Sequence, residues 1–216
     1  PTLDEIGYTV PGLIPAAFYA IHVKGRYQLL NDNLLDLTHL GYLHGTSIGT
    51  QDDAATPEVR DLDERRLSSR RYMHDTPMPP IHDRSEYDGP IDRISGMDFF
   101  FPGFHAGIGE SQYPRDHARA GDVLRTSRVW HAVTPATKTT CNYFFAMSNA
   151  TQAGLDQAKI ALKPVLDEDS FATEQIEKII STMDDLPPEL MLKSDVTAVQ
   201  GRRILQAMMD KEKAEA

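Results

Sequence analysis

Cysteine occurs once in 216 residues, at Cys141. A single thiol rules out an internal disulfide and suits a reducing cytoplasm. No apolar run approaches about 18 residues, so no membrane-spanning helix is expected. Positive charge is also in deficit. Lys and Arg number 22 against 32 Asp and Glu, a formal net charge of −10, which argues against a nucleic-acid partner held through its phosphates. The chain begins Pro1-Thr2-Leu3-Asp4-Glu5, with neither an initiator Met nor a secretory signal. It therefore reads as a fragment of a longer polypeptide or as a trimmed N-terminus. No internal repeat or low-complexity tract stands out. What remains is 40% hydrophobic and 25% charged, the composition of an ordinary globular protein. The length fits one large domain or two small ones and can bury a sizeable core.

The order of elements follows from periodicity and breakers. Residues 1–15 hold Gly7, Pro11, Gly12 and Pro15 and read as an irregular lead-in. A strand is expected over 17–24 and a helix over 29–44, then a polar loop over 45–57. Residues 59–74 are charged and suit one or two strands with a solvated face. Four prolines, at 77, 79, 80 and 90, make 75–90 an extended loop. Residues 91–110, with Phe99, Phe100, Phe101 and Phe104 around Pro102-Gly103, give two strands or one broken strand. Strands are expected again over 123–133 and 139–147. Residues 155–183 are mainly helical, with Pro164 breaking or kinking the helix. Ser194 looks like the N-cap of a last helix reaching about Met209, followed by a charged, frayed tail. A strand, a helix, several antiparallel strands and then long helices indicate an α+β fold.

The stretch Asn33 to His44 carries the chemistry. It places His39, His44 and Asp36 among Leu34, Leu35, Leu37, Leu40 and Leu43. Leucines at this spacing predict a helix packed on a core, where unpaired polar groups cost a few kcal/mol. A metal would satisfy both histidines at once. Their separation of five residues puts them about 140° apart on a regular helix. Either they share no ligand, or the helix is deformed between them, with Gly41 the expected place for a wide turn. Asp36, three residues before His39, is placed to orient that imidazole.

Asn33 and the run Asp36-Leu37-Thr38-His39-Leu40-Gly41-Tyr42-Leu43-His44 resemble the iron-binding helix of Rieske-type non-haem iron oxygenases, and most closely the vanillate and dicamba O-demethylase branch. The resemblance extends through Trp130-His131-Ala132-Val133-Thr134-Pro135 and Asn142-Tyr143-Phe144-Phe145. It implies His39 and His44 as metal ligands. The third ligand is an aspartate at the start of the C-terminal helix, matched here by Asp169 within Leu166-Asp167-Glu168-Asp169-Ser170-Phe171. Two histidines and a carboxylate leave positions open for dioxygen and substrate. The resemblance also implies a helix-grip sheet curved around a long C-terminal helix. It makes Asp36 an electron bridge to a Rieske histidine on an adjacent subunit of a homo-trimer, and it places Asn33 near the iron. His131 and His105 become candidate substrate contacts. A substrate-stacking Trp of the family falls near Ile160, which is not aromatic.

A Rieske [2Fe–2S] cluster needs two Cys and two His, which a chain with one Cys cannot supply. The resemblance therefore implies residues 1–216 as a single catalytic domain with mononuclear Fe(II). The Rieske domain and an NAD(P)H-dependent reductase would be partners. Dioxygen and an aromatic substrate would be consumed, by ring hydroxylation or O-demethylation. The rival reading is a metal-free helix-grip module binding a small apolar ligand, because fold does not fix function. His22, His74, His82 and His117 have no constellation around them. Cys141 has no base nearby in sequence.

Overall fold

The first and second strands lie at opposite edges of one sheet, and this organises the molecule. In this computed structural model, which describes every residue except Glu64 and Ala216, the strands are β1 (Ile14–Val23), β2 (Val59–Leu62), β3 (Arg66–Thr76), β4 (Ile91–Phe100), β5 (Phe104–Gln112), β6 (Val123–Pro135) and β7 (Cys141–Asn149). Their order in the sheet is β1-β7-β6-β5-β4-β3-β2, and every pairing is antiparallel. The chain from β1 to β2 must therefore cross the whole sheet. That crossover carries three helices, α1 (Tyr27–Leu35), α2 (His39–Tyr42) and α3 (Gln51–Ala55). After β7 come the long α4 (Gln152–Ile180) and α5 (Val196–Glu215).

Register puts Leu67, Phe99, His105, His131 and Phe145 in one row across β3, β4, β5, β6 and β7. Side chains alternate between the faces of a strand, so this row and the positions two residues away share one face. Against that face lies the main core. Leu30 and Leu34 of α1 and Leu162, Val165 and Leu166 of α4 pack with Val23, Val133, Cys141, Tyr143 and Phe145. Each such buried Leu is worth about 2 kcal/mol. A second cluster seats α5 through Ala198 and Leu205 on Leu35, Leu67 and Phe99. The opposite face buries Phe100, Ala106 and Trp130 beneath the lead-in, where Trp130 Nε1 donates to the Ile6 carbonyl at 2.7 Å. The result is an α+β sheet gripping a long helix, the helix-grip arrangement expected.

Several expectations are corrected. The helix expected over 29–44 is two helices, α1 and α2, separated at Asp36–Thr38. No wide turn at Gly41 is needed. The loop expected over 45–57 contains α3, started by a capping box between Thr50 and Asp53. Of the break or kink expected at Pro164, the break does not occur, and α4 runs on through it. Proline removes one hydrogen bond to the carbonyl four residues back, that of Ile160. Both residues are exposed, so water can take that carbonyl. Ser194 is not a helix cap. It lies in a 3-10 turn, Lys193–Asp195, where Asp195 Oδ2 accepts from the Leu192 amide at 2.7 Å. The tail expected to fray is helical as far as Glu215, and Ala216 lies outside the described residues. No helix among the described residues is long and apolar enough to cross a membrane.

Candidate metal centre

Helix α1 stops because Asp36 leaves helical geometry, with φ −99° and ψ 87°. Its carboxylate then accepts from the Thr38 amide at 3.0 Å and the Thr38 hydroxyl at 2.6 Å, an Asx turn that redirects the chain. Helix α2 begins at His39 on the new axis. Past its end the backbone folds sharply back, with the amides of Ser47 and Gly49 both donating to the His44 carbonyl, at 2.9 and 3.0 Å. This return is open only to glycine at position 49, where a Cβ would lie 1.8 Å from the Leu40 carbonyl oxygen. The two imidazoles, about 140° apart on a continuous helix, thus stand edge to face with ring centroids 5.1 Å apart.

Helix α4 completes the group. Asp169 is buried beside both rings, its Oδ1 lying 2.9 Å from His44 Nε2 and 3.7 Å from His39 Nε2. One ligand atom from each of His39, His44 and Asp169 falls within 4.8 Å of the others, and no other such group of His, Cys, Asp or Glu occurs among the described residues. Asp169 lies deep within α4, not at the start of the C-terminal helix as expected. Asn33 Nδ2 donates to Asp169 Oδ1 at 2.8 Å, so the asparagine reaches the centre directly from α1.

The two histidines are held differently. His39 Nδ1 lies 2.5 Å from the Asp36 carbonyl oxygen, so that nitrogen carries the proton and Nε2 presents its lone pair. Asp36 does orient His39, but through its carbonyl; its carboxylate is taken by Thr38. Burial is the main influence on His39 and keeps its pKa below the usual value, despite the Asp169 charge. His44 is fully buried, with Nδ1 2.7 Å from Glu168 Oε2 and Nε2 2.9 Å from Asp169 Oδ1. Burial opposes charge on His44, but the hydrogen bonds and charges of Asp169 and Glu168 outweigh it and raise its pKa. Asp169 is pulled the other way. Burial would raise it, and His44, His39 and Asn33 together hold it below the carboxylate range.

A neutral imidazole has only one N–H, so it cannot satisfy both carboxylates facing His44. With Nδ1–H given to Glu168, Nε2 and Asp169 Oδ1 would meet as two acceptors. A cation must lie between them, either a proton or a metal.

His131 shares the interior row. Its Nδ1 lies 2.7 Å from the Tyr143 hydroxyl, and Nε2 has no hydrogen-bond partner among the described residues. Burial lowers its pKa to about 4, leaving it neutral near pH 7. His105 is enclosed. It is wholly buried, stacked on Phe99 with centroids 4.5 Å apart, and its Nε2 meets Asn31 Oδ1 at 2.8 Å. Its Nδ1 has no hydrogen-bond partner among the described residues. Ile160 stands nine residues before Asp169, about half a turn round α4, and is 78% exposed; it does not join the group. Glu168 and Tyr143 are the site residues that spacing alone did not single out. Glu168 is one of three consecutive acids, and nothing in their order says which one faces His44.

Residues 23–211 match the family described as the vanillate O-demethylase oxygenase C-terminal domain. The chain is 28% identical over 211 residues to a vanillate O-demethylase oxygenase subunit from a Pseudomonas species, covering 89% of this chain and 62% of that protein. It is 27% identical over 205 residues to the iron-sulfur subunit of a toluene-4-sulfonate monooxygenase system from Comamonas testosteroni, covering 89% and 58%. The chain thus spans about three fifths of the length of these relatives. Its fold is that of dicamba monooxygenase bound to 3,6-dichlorosalicylic acid, with TM-score 0.81, 21% identity, and coverage of 94% of this chain and 61% of that one. Dicamba monooxygenase with non-heme iron and dicamba superposes with TM-score 0.71 at 21% identity, covering 95% and 60%.

Proposed function

Since the chain belongs to the vanillate O-demethylase oxygenase C-terminal domain family, we propose that residues 1–216 are the catalytic domain of a Rieske-type non-haem iron aromatic oxygenase, with the Rieske domain outside them. His39, His44 and Asp169 hold one Fe(II) in this reading. The observation that carries it is the convergence of these three ligand atoms within 4.8 Å, two from the crossover between β1 and β2 and one from α4, 125 residues beyond His44. The donor set fits. A first-row metal with bonds of about 2.1 Å at right angles holds neighbouring ligand atoms roughly 3 Å apart. His44 Nε2 and Asp169 Oδ1 are 2.9 Å apart, and His39 Nε2 lies 3.7 Å from the same oxygen.

When bound, Fe(II) supplies dioxygen reduction at the coordination positions the protein leaves open. The protein's own part is placement. Asp36 and Asn33 fix His39 and Asp169 by the hydrogen bonds described above. His131, neutral and anchored by Tyr143, offers Nε2 to a polar substituent of the substrate, with Phe145 packed against it at 5.1 Å between centroids. The substrate is an aromatic compound, and the reaction inserts one oxygen atom of dioxygen into a C–H bond while the other leaves as water. Two electrons and two protons are consumed. On a methoxy carbon the resulting hemiacetal breaks down to formaldehyde and a phenol. On a ring carbon the same balance gives hydroxylation.

The electrons come from a [2Fe–2S] Rieske cluster supplied by a domain or partner outside this chain, through an NAD(P)H-dependent reductase and within a homo-trimer. The chain has one Cys, and the cluster needs two. With NADH, dioxygen and an aromatic methoxy acid, the chain alone should give no sustained turnover. Adding a Rieske-bearing partner and reductase should produce formaldehyde. Sustained turnover by the isolated chain with NADH alone would overturn this reading.

A further inference from the structure

Helix α4 offers His44 two consecutive carboxylates, one to each ring nitrogen. Glu168 Oε2 accepts at Nδ1, at 2.7 Å, while Asp169 Oδ1 stands at Nε2, at 2.9 Å. The other histidine has only a neutral backbone carbonyl behind it. The His44 ring is fully buried, whereas the Glu168 side chain is 40% exposed, so Glu168 is not there to fill the core. Its neighbour Asp167 points elsewhere, to Lys163 one turn back. Adjacent helical residues point about 100° apart, and here that angle is spanned by one imidazole.

We propose that Glu168 is a positioning residue for the metal centre. It accepts the Nδ1–H of His44, fixes the tautomer that aims the Nε2 lone pair at the metal, and makes that ring the stronger of the two imidazole donors. The inference rests on the iron-site reading above. A carboxylate behind a ligating imidazole holds its orientation and raises its basicity. It also brings a second negative charge to a dication that otherwise faces only one carboxylate. The two histidines are thereby unequal: His44 is backed by an anion, His39 by a neutral carbonyl.

The test is anaerobic Fe(II) titration of the metal-free chain, read as metal affinity, in Glu168→Ala, Glu168→Gln and Asp167→Ala. Glu168 is half exposed, so these variants are expected to fold. Glu168→Ala should weaken Fe(II) binding about 10- to 100-fold. Glu168→Gln keeps an acceptor oxygen without the charge and should fall between. Asp167→Ala removes the same charge one residue away and should leave affinity unchanged.

A second readout uses the Co(II)-loaded chain. Wild type should show two hyperfine-shifted, slowly exchanging ring N–H signals, from His39 and His44, and Glu168→Ala should lose one. Unchanged affinity together with both signals in Glu168→Ala would overturn the proposal while leaving the iron site standing. Equal weakening by Asp167→Ala would overturn it too, since general charge would then explain the effect. A wild-type chain that binds no Fe(II) would overturn the iron-site reading itself, and this inference with it.

Discussion

Single atoms decide how much of the centre could be read in advance. The pattern Asp36, His39, His44 is visible in the linear chain, and the match around Leu166–Phe171 points to Asp169. What spacing does not reveal is which atom of a residue does the work. Asp36 serves His39 with its carbonyl oxygen and Thr38 with its carboxylate, a division set by backbone torsions and not by residue type. Nor does composition separate Asp167, Glu168 and Asp169, whose directions depend on the rotation of α4. His105 and His131 face each other across a strand pair, yet one is wholly buried against Asn31 and Phe99 and the other is held by Tyr143. This division yields a prediction for Asp36→Asn. The amide oxygen still accepts from Thr38 and the carbonyl is unchanged, so fold and iron content should stay near wild type. If the carboxylate carries electrons from a partner, turnover per iron in the complete system should drop about 10- to 100-fold. Wild-type turnover per iron would show that Asp36 only shapes the turn.

At the scale of elements, the centre depends on how α1, α2 and α4 are fastened together. Glu177 of α4 makes one of these joints. Its carboxylate accepts from Arg26 Nε at 2.7 Å, from Arg26 Nη2 at 2.8 Å and from the Arg26 amide at 3.1 Å, just where α1 starts. The hydrogen bond from the Arg26 side chain is the largest of the influences that lower the Glu177 pKa from 4.5 to about 2. A depressed carboxylate pKa contributes stability that is complete above the unfolded value and is lost as pH falls through the folded one. Glu177→Gln should therefore cost about 2 kcal/mol near neutral pH, as expected for charge-assisted hydrogen bonds. Its deficit against wild type should shrink between pH 4.5 and about 2. Denaturant titrations across that range measure it, and a deficit independent of pH would show that the joint is not electrostatic. The broad order of strands and helices followed from periodicity and breakers. The break at Asp36 and the continuity of α4 through Pro164 did not, because each depends on tertiary contacts or solvent exposure that local propensity does not encode.

The whole molecule explains why the centre sits where it does. Strands β1 and β2 occupy opposite edges of the sheet, so the chain between them must traverse its inner face. The histidines ride on that crossover, and α4, packed along β1 and β7, brings Asp169 to meet them. An antiparallel sheet with long helices was legible from the sequence. The strand order was not, since pairing partners are set by side-chain packing across the sheet. Iron content tests the centre most directly. Fe(II) is loaded anaerobically into the chain and into His39→Ala, His44→Ala and Asp169→Ala, excess metal is removed by gel filtration, and iron per chain is measured. One iron per wild-type chain, with content at background in all three variants, is the expected result; full retention of iron by His39→Ala would contradict the assignment.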